Sequence, residues 1–314
     1  MKKTVLCIVC MLMSIGVMAQ MSTKISAKLA KGSFATYLTT SETTIGTPLG
    51  NSPIKSTAST EVKYSVTEVL PEGYSIEATA LNIEGDFLNL SGAETEAKFL
   101  NDFFKSWIGK KFILSTDKDL KVLAIKNYDE LKTEFTKSAE ELIKNLPTEG
   151  GEGRAITNEA LKKVIDSQMT EEKMISTING KLFDFYGKTI STGMMEDVEI
   201  EGMKAKNTYV VSAPKNSDVC TINCTTVLAM TKDDLKAMLY KQLGDNLPED
   251  QIEAMKPQID QMLESGMVKI DGKGQSTFVF KKNGWLQSME STMAIDAMGS
   301  KTEIVSKSTL KESK

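Results

Sequence analysis

Reactive side chains are few in this sequence, and the type that is missing excludes the most. There is no histidine among its 314 residues. That removes Ser-His-Asp and Cys-His nucleophile pairs, and with them imidazole-ligated zinc or iron. Acid–base chemistry would fall to carboxylates, lysine or tyrosine. Three carboxylate pairs stand out: Glu171–Glu172, Glu196–Asp197 and Asp233–Asp234. The first and third open helical patterns, where negative charge complements the backbone dipole without any reaction. A glycosidase needs two carboxylates facing one sugar, and no spacing here argues for that. A carboxylate-based hydrolase is the weakest functional reading, and the chain is expected not to be an enzyme.

Of the four cysteines, Cys7 and Cys10 lie in the apolar N-terminal stretch, leaving Cys220 and Cys224. Residues four apart on a strand share a face but stand about 13 Å apart. A disulfide needs Cα atoms within roughly 7 Å. Only a turn or bulge at Asn223 would close the bridge, so the pair reads as two small buried residues or one structural disulfide. No histidine or further cysteine completes a metal-ligand set, and no metal or cofactor is expected. Gly150-Gly151-Glu152-Gly153 lacks the Lys-Ser/Thr of a phosphate-binding loop and reads as a linker. Asp271-Gly272-Lys273-Gly274 lacks the remaining ligands of a calcium loop and reads as a turn.

What remains is soft and apolar. Met238, Met255, Met262 and Met267 recur along a helical pattern, and Phe103 and Trp107 close an aromatic one. Plain core packing explains such stripes. Flexible thioethers beside aromatic rings also suit a greasy seam for a lipid or another hydrophobic small molecule. The residues that would line this seam are Phe103, Trp107, Met238, Met255 and Met262.

The elements that must position these residues follow from the pattern along the chain. Lys2 and Lys3 precede an apolar run from Val5 to Met18, and Val17-Met18-Ala19 offers small-residue cleavage chemistry. A signal peptide is expected over 1–19, with export to the periplasm or the exterior. Lipidation at Cys10 would leave too short an apolar region, so lipoprotein anchoring is not expected. No later stretch is long and apolar enough for a membrane-spanning helix. Removing Lys2 and Lys3 takes the net charge from −4 to −6, which argues against nucleic acid as a partner.

Residues 23–90 alternate as strands, with a Ser/Thr/Gly/Pro-rich loop expected over Thr40–Thr60. Helical blocks are expected at about 127–182 and 231–265, bounded by strands on both sides. The first begins at Asn127, with Glu130 at capping-box spacing. Asn283-Gly284 is the strongest hairpin signal. In the last strand, Lys301, Lys307 and Lys311 read as charge protection of a sheet edge.

Three short stretches carry a resemblance: Gly109-Lys110-Lys111-Phe112 through Lys121-Val122 to Tyr128-Asp129-Glu130-Leu131, then Phe185-Tyr186-Gly187, then Gly272 to Leu310 with Lys282-Asn283-Gly284-Trp285. In these the chain resembles a family of exported Gram-negative bacterial proteins known only as a domain of unknown function. The resemblance implies a β-rich envelope or secreted protein and supplies no catalytic residue.

The expected fold is α+β: one domain over 20–314, a curved, mainly antiparallel β-sheet with two inserted helical blocks packed on its concave face. The expected role is non-catalytic binding of a lipid or other hydrophobic ligand between sheet and helices. An envelope structural or protein-interaction module is the alternative.

Overall fold

The structure is a computed structural model that describes residues 21–46, 53–86, 94–145, 162–163, 169–179, 183–200, 202–213, 218–244, 249–265, 269–281, 284–297 and 299–314. The expected signal peptide, the Gly150–Gly153 linker and Met267 lie outside these residues.

The first half holds strands β1 (Ser22–Lys24), β2 (Phe34–Ile45), β3 (Ile54–Leu70) and β4 (Gly73–Asp86), then helix α1 (Glu94–Lys105). Strands β5 (Lys111–Asp117) and β6 (Val122–Ile125) follow, then helices α2 (Tyr128–Lys144) and α3 (Glu171–Ile178). The second half holds β7 (Thr189–Ser191), β8 (Met195–Ile200), β9 (Met203–Ser212) and β10 (Val219–Leu228). Helices α4 (Lys232–Gly244) and α5 (Glu249–Glu264) then precede β11 (Ile270–Lys281), β12 (Leu286–Ala297) and β13 (Ser300–Ser313).

Eleven strands form one antiparallel sheet in the order β6-β5-β4-β3-β2-β13-β12-β11-β10-β9-β8, while β1 pairs with β7. Both halves of the chain therefore share one hydrogen-bonded layer. Two expectations change. The last strand is no edge: β13 lies at the centre, paired with β2 from Thr302 opposite Ile45 to Ser313 opposite Ala35. Its lysines face solvent on the outer side, where Lys307 meets Glu290 at 2.6 Å and Lys311 meets Glu61 at 2.9 Å. The Thr40–Thr60 stretch is not a loop outside 47–52, because its β-branched threonines continue β2 and begin β3. Pro53 stands just before β3, where a missing N–H costs little.

The other face is almost without charge. Cys224, Ser276, Ser291, Ser306, Ser41 and Ala58 stand opposite one another across six strands. Hydroxyl contacts link Ser276 to Ser291 at 2.8 Å and Ser41 to Ser306 at 3.3 Å. Towards one end of the strands this face becomes the main core, which holds Tyr37, Tyr64, Ile76, Leu114, Ile222, Phe280 and Leu286.

Residues 183–190 cross beneath that end. Phe183 meets the Tyr64 ring edge-on at 5.5 Å, on β3. Phe185 lies 4.4 Å from Phe278 and 6.0 Å from Tyr209, on β11 and β9. The Tyr186 hydroxyl donates to the Gly284 carbonyl at 2.5 Å. Gly187, at φ +77°, has no room for a Cβ because the Asp119 side chain would lie 2.4 Å from it. The three stretches that carried the family resemblance thus meet in space. Leu120, beside Asp119, holds φ 61° while fully buried. Asp117 Oδ1 steadies that turn by accepting the N–H groups of Asp119 and Lys121, each at 2.9 Å.

The two helical blocks behave differently. In the first, Leu131, Phe135 and Met174 join the main core with α1. In the second, Leu235, Ile259 and Leu263 form a separate cluster with Met230, Met238, Leu239, Tyr240 and Ile270. Two short antiparallel stripes can cover one another, so this hairpin satisfies its apolar residues without extending the main core. Thr231 and Asp234 cap α4 reciprocally: Asp234 N–H donates to Thr231 Oγ1 at 3.2 Å, and Thr231 N–H to Asp234 Oδ2 at 2.9 Å.

Gly284 stands at φ +93°, and a Cβ there would lie 2.7 Å from the Ser26 carbonyl oxygen. Gly284→Ala should cost about 1–3 kcal/mol in urea unfolding. Tyr186→Phe should cost about 1–2 kcal/mol through the unmet Gly284 carbonyl. Unchanged midpoints in both variants would refute the crossing segment as a fastening point.

Candidate functional site

A cavity of about 390 Å³ opens between the sheet and helices α1 and α3. Its sheet side is Tyr37, Val62, Tyr64, Ala78, Ala80 and Phe112. Its helical side is Leu100, Phe103, Phe104 and Trp107 from α1 and the turn after it, with Met174, Thr177 and Ile178 from α3. The volume falls in the range that holds small organic ligands. Among the described residues, none that line it is charged.

Local chemistry explains each wall. On β4, Ala78 and Ala80 are buried, and their small side chains leave the space that larger residues would fill. On α1, Phe99 and Phe103 stack at 6.1 Å, one helical turn apart. Trp107 stacks on Phe135 of α2 at 4.5 Å and lies 6.0 Å from Phe112. Its Nε1 is fully buried with no hydrogen-bond partner among the described residues. That N–H is closed in among rings, at a cost of about 1–3 kcal/mol.

Helix α3 forms the remaining wall because side chains bind it to the sheet edge. Ile125 N–H donates to Glu171 Oε1 at 2.8 Å. Val122 N–H donates to Asn179 Oδ1 at 2.8 Å, and Asn179 Nδ2 returns a bond to the Val122 carbonyl at 3.1 Å. Two polar groups at the ends of α3 thus complete strand β6, which would otherwise present unpaired backbone. Asn127 does the same for β5, accepting from Ile113 N–H at 2.9 Å and donating to the Lys111 carbonyl at 2.8 Å. It makes no cap bond to α2, contrary to the capping-box reading, because the strand claims its amide. Thr170 does cap α3, accepting from Lys173 N–H at 3.4 Å.

The seam expected from sequence is divided. Phe103 and Trp107 line the cavity. Met238 packs in the separate α4–α5 cluster, while Met255 and Met262 are 37% and 39% exposed. The methionines that do line the cavity are Met169 and Met174. Met174 and Ile178, four residues apart on α3, share the helix face that meets the cavity.

The remaining chemical candidates separate as well. Strand β10 runs without a bulge through Cys220, Asn223 and Cys224, each paired in continuous register, and both thiols are free. The turn that a bridge required is absent, which corrects the disulfide alternative. Glu196 and Asp197 alternate on β8. Glu196 accepts from the Tyr209 hydroxyl at 2.7 Å, whereas Asp197 is largely exposed and pairs with Lys206 at 3.7 Å.

No protein-family model matches the chain, and no curated protein matches it. Among solved structures it is similar to one titled "Lipid-protein interactions in lipovitellin", with a TM-score of 0.42 and 8% identity. The match covers 91% of this chain and 26% of that one, so the chain spans about a quarter of its length. No helix among the described residues is long and apolar enough to cross a membrane.

Burial is the largest cause raising the phenols of Tyr37, Tyr64, Tyr186 and Tyr209 far above their ordinary range. Each folded-state value exceeds the unfolded one, so this stabilisation is complete below about pH 10 and is lost as pH rises beyond it. Absorbance titration should show these four of the seven phenols silent until alkaline unfolding; more than three phenols ionising in the folded chain would contradict it. Glu171→Ala and Asn179→Ala should each cost about 1–2 kcal/mol and speed amide exchange at Ile125 and Val122 respectively. Unaltered exchange would show that α3 is not fastened this way.

Proposed function

We propose that this chain is an exported, non-catalytic binding module that holds a lipid or other hydrophobic small molecule between its sheet and α1 and α3. The observation that carries the reading is the cavity itself, walled by rings, methionines and alanines, with no charged lining residue among those described. Apolar surface of this kind gains about 25 cal/mol per Å² when a ligand displaces its water. The buried phenols stay protonated and offer hydroxyl groups rather than a base. Thr39, Thr60 and Thr177 add further uncharged hydroxyls. In this proposal the sheet curves over the first helical block, and the chain leaves the cytoplasm after loss of residues 1–19. It belongs with the exported Gram-negative proteins that its three short stretches resemble.

Native mass spectrometry of protein taken from its own host, followed by solvent extraction, should reveal a bound apolar molecule. Ala80→Phe should fill the cavity and lower uptake of the neutral fluorescent probe phenylnaphthylamine at least about tenfold, with the fold retained. Protein that arrives empty, and a filled variant that takes up the probe as well as the parent, would end the proposal.

A further inference from the structure

Tyr64 is 8% exposed and lines the cavity. Its ring is held edge-on by Phe183 at 5.5 Å and by Tyr37 at 6.2 Å. Burial alone accounts for the raised phenol, and no hydrogen bond from a described residue reaches its hydroxyl. Tyr37 differs, because its hydroxyl accepts from the Leu286 N–H. Tyr186 donates to Gly284. Of these three phenols, Tyr64 alone has no hydrogen-bond partner among the described residues, and it lines the cavity.

A hydroxyl on an apolar wall, open to the cavity and with no described protein partner, is free to pair with a ligand atom in place of water. A carboxylate could accept from it but would bring a charge into a site where no described lining residue offsets one. An ammonium cannot accept, and meets no carboxylate among the described lining residues. Resting on the proposed ligand-binding role, we infer that the cavity selects uncharged single-chain amphiphiles, with a neutral oxygen of the ligand accepting from the Tyr64 hydroxyl. An alcohol, an ester carbonyl or an ether supplies that oxygen, while the hydrocarbon lies along Ala80, Phe103 and Met174.

The test is displacement of phenylnaphthylamine from the full chain by dodecane, dodecanol, dodecanoate and dodecylammonium. Dodecanol should bind at least about tenfold more tightly than either ion. Tyr64→Phe should weaken dodecanol by roughly three- to tenfold and leave dodecane within about twofold. If dodecanoate or dodecylammonium equals dodecanol, or if Tyr64→Phe weakens dodecane as much as dodecanol, the inference is overturned while the binding role stands. Failure of the probe and of all four compounds to bind overturns both. The headgroup comparison needs no variant, so it decides the matter even where Tyr64→Phe does not fold.

Discussion

The crossing of residues 183–190 beneath the sheet is the constraint on which the rest depends. An eleven-stranded antiparallel layer gains rigidity only where its faces are covered, and the helices cover little of this one. The crossing segment spans from Tyr64 on β3 to Phe278 on β11 and Tyr209 on β9, so one short stretch of rings holds both halves of the sheet. Its fixed points are few and tight: a phenol on the Gly284 carbonyl, a glycine against Asp119, and the Gly187 N–H on the Ile25 carbonyl at 2.9 Å. Glycine is required at 187 and 284 because the left-handed backbone and the neighbouring atoms each exclude a side chain.

From that crossing the cavity follows. Phe183 fixes the Tyr64 ring, and Tyr64 fixes one side of the wall. The opposite side depends on the edge strand β6, whose open backbone groups recruit Glu171 and Asn179 and so hold α3 in place. A polar requirement of the sheet edge thereby shapes an apolar space. The sheet beyond it is lined by small hydroxyls in register, where cross-strand pairs such as Ser276–Ser291 keep the layer flush without bulky side chains.

Much of this was legible in residue order. Alternation along Val62–Val66 and Tyr74–Ala80, the aromatic spacing of Phe99–Trp107, and Thr231 with Asp234 all announce their elements locally. The misreadings share one cause. Lys307 and Lys311 look like edge protection because a last strand often lies at an edge; pairing between residues 250 or more apart puts β13 in the centre. Asn127 looks like a helix cap because the alternation of Phe112 and Leu114 announces a strand but not that its Ile113 N–H and Lys111 carbonyl would claim the Asn127 amide. The methionines of α4 and α5 look like part of one seam because a stripe records that a face is buried, not what buries it.

The sequence by itself determined the chemistry that was available: no imidazole, an acidic balance, antiparallel hairpins and amphipathic helices, because these follow from residue type and short-range period. Tertiary structure alone decided that β2 and β13 meet at the sheet centre and that the α4–α5 pair keeps its own core. It also decided that the Tyr64 hydroxyl meets no described partner, on a wall whose described residues carry no charge. Such facts depend on contacts between segments distant in the chain, whose partners are chosen by the global burial of surface rather than by any local pattern.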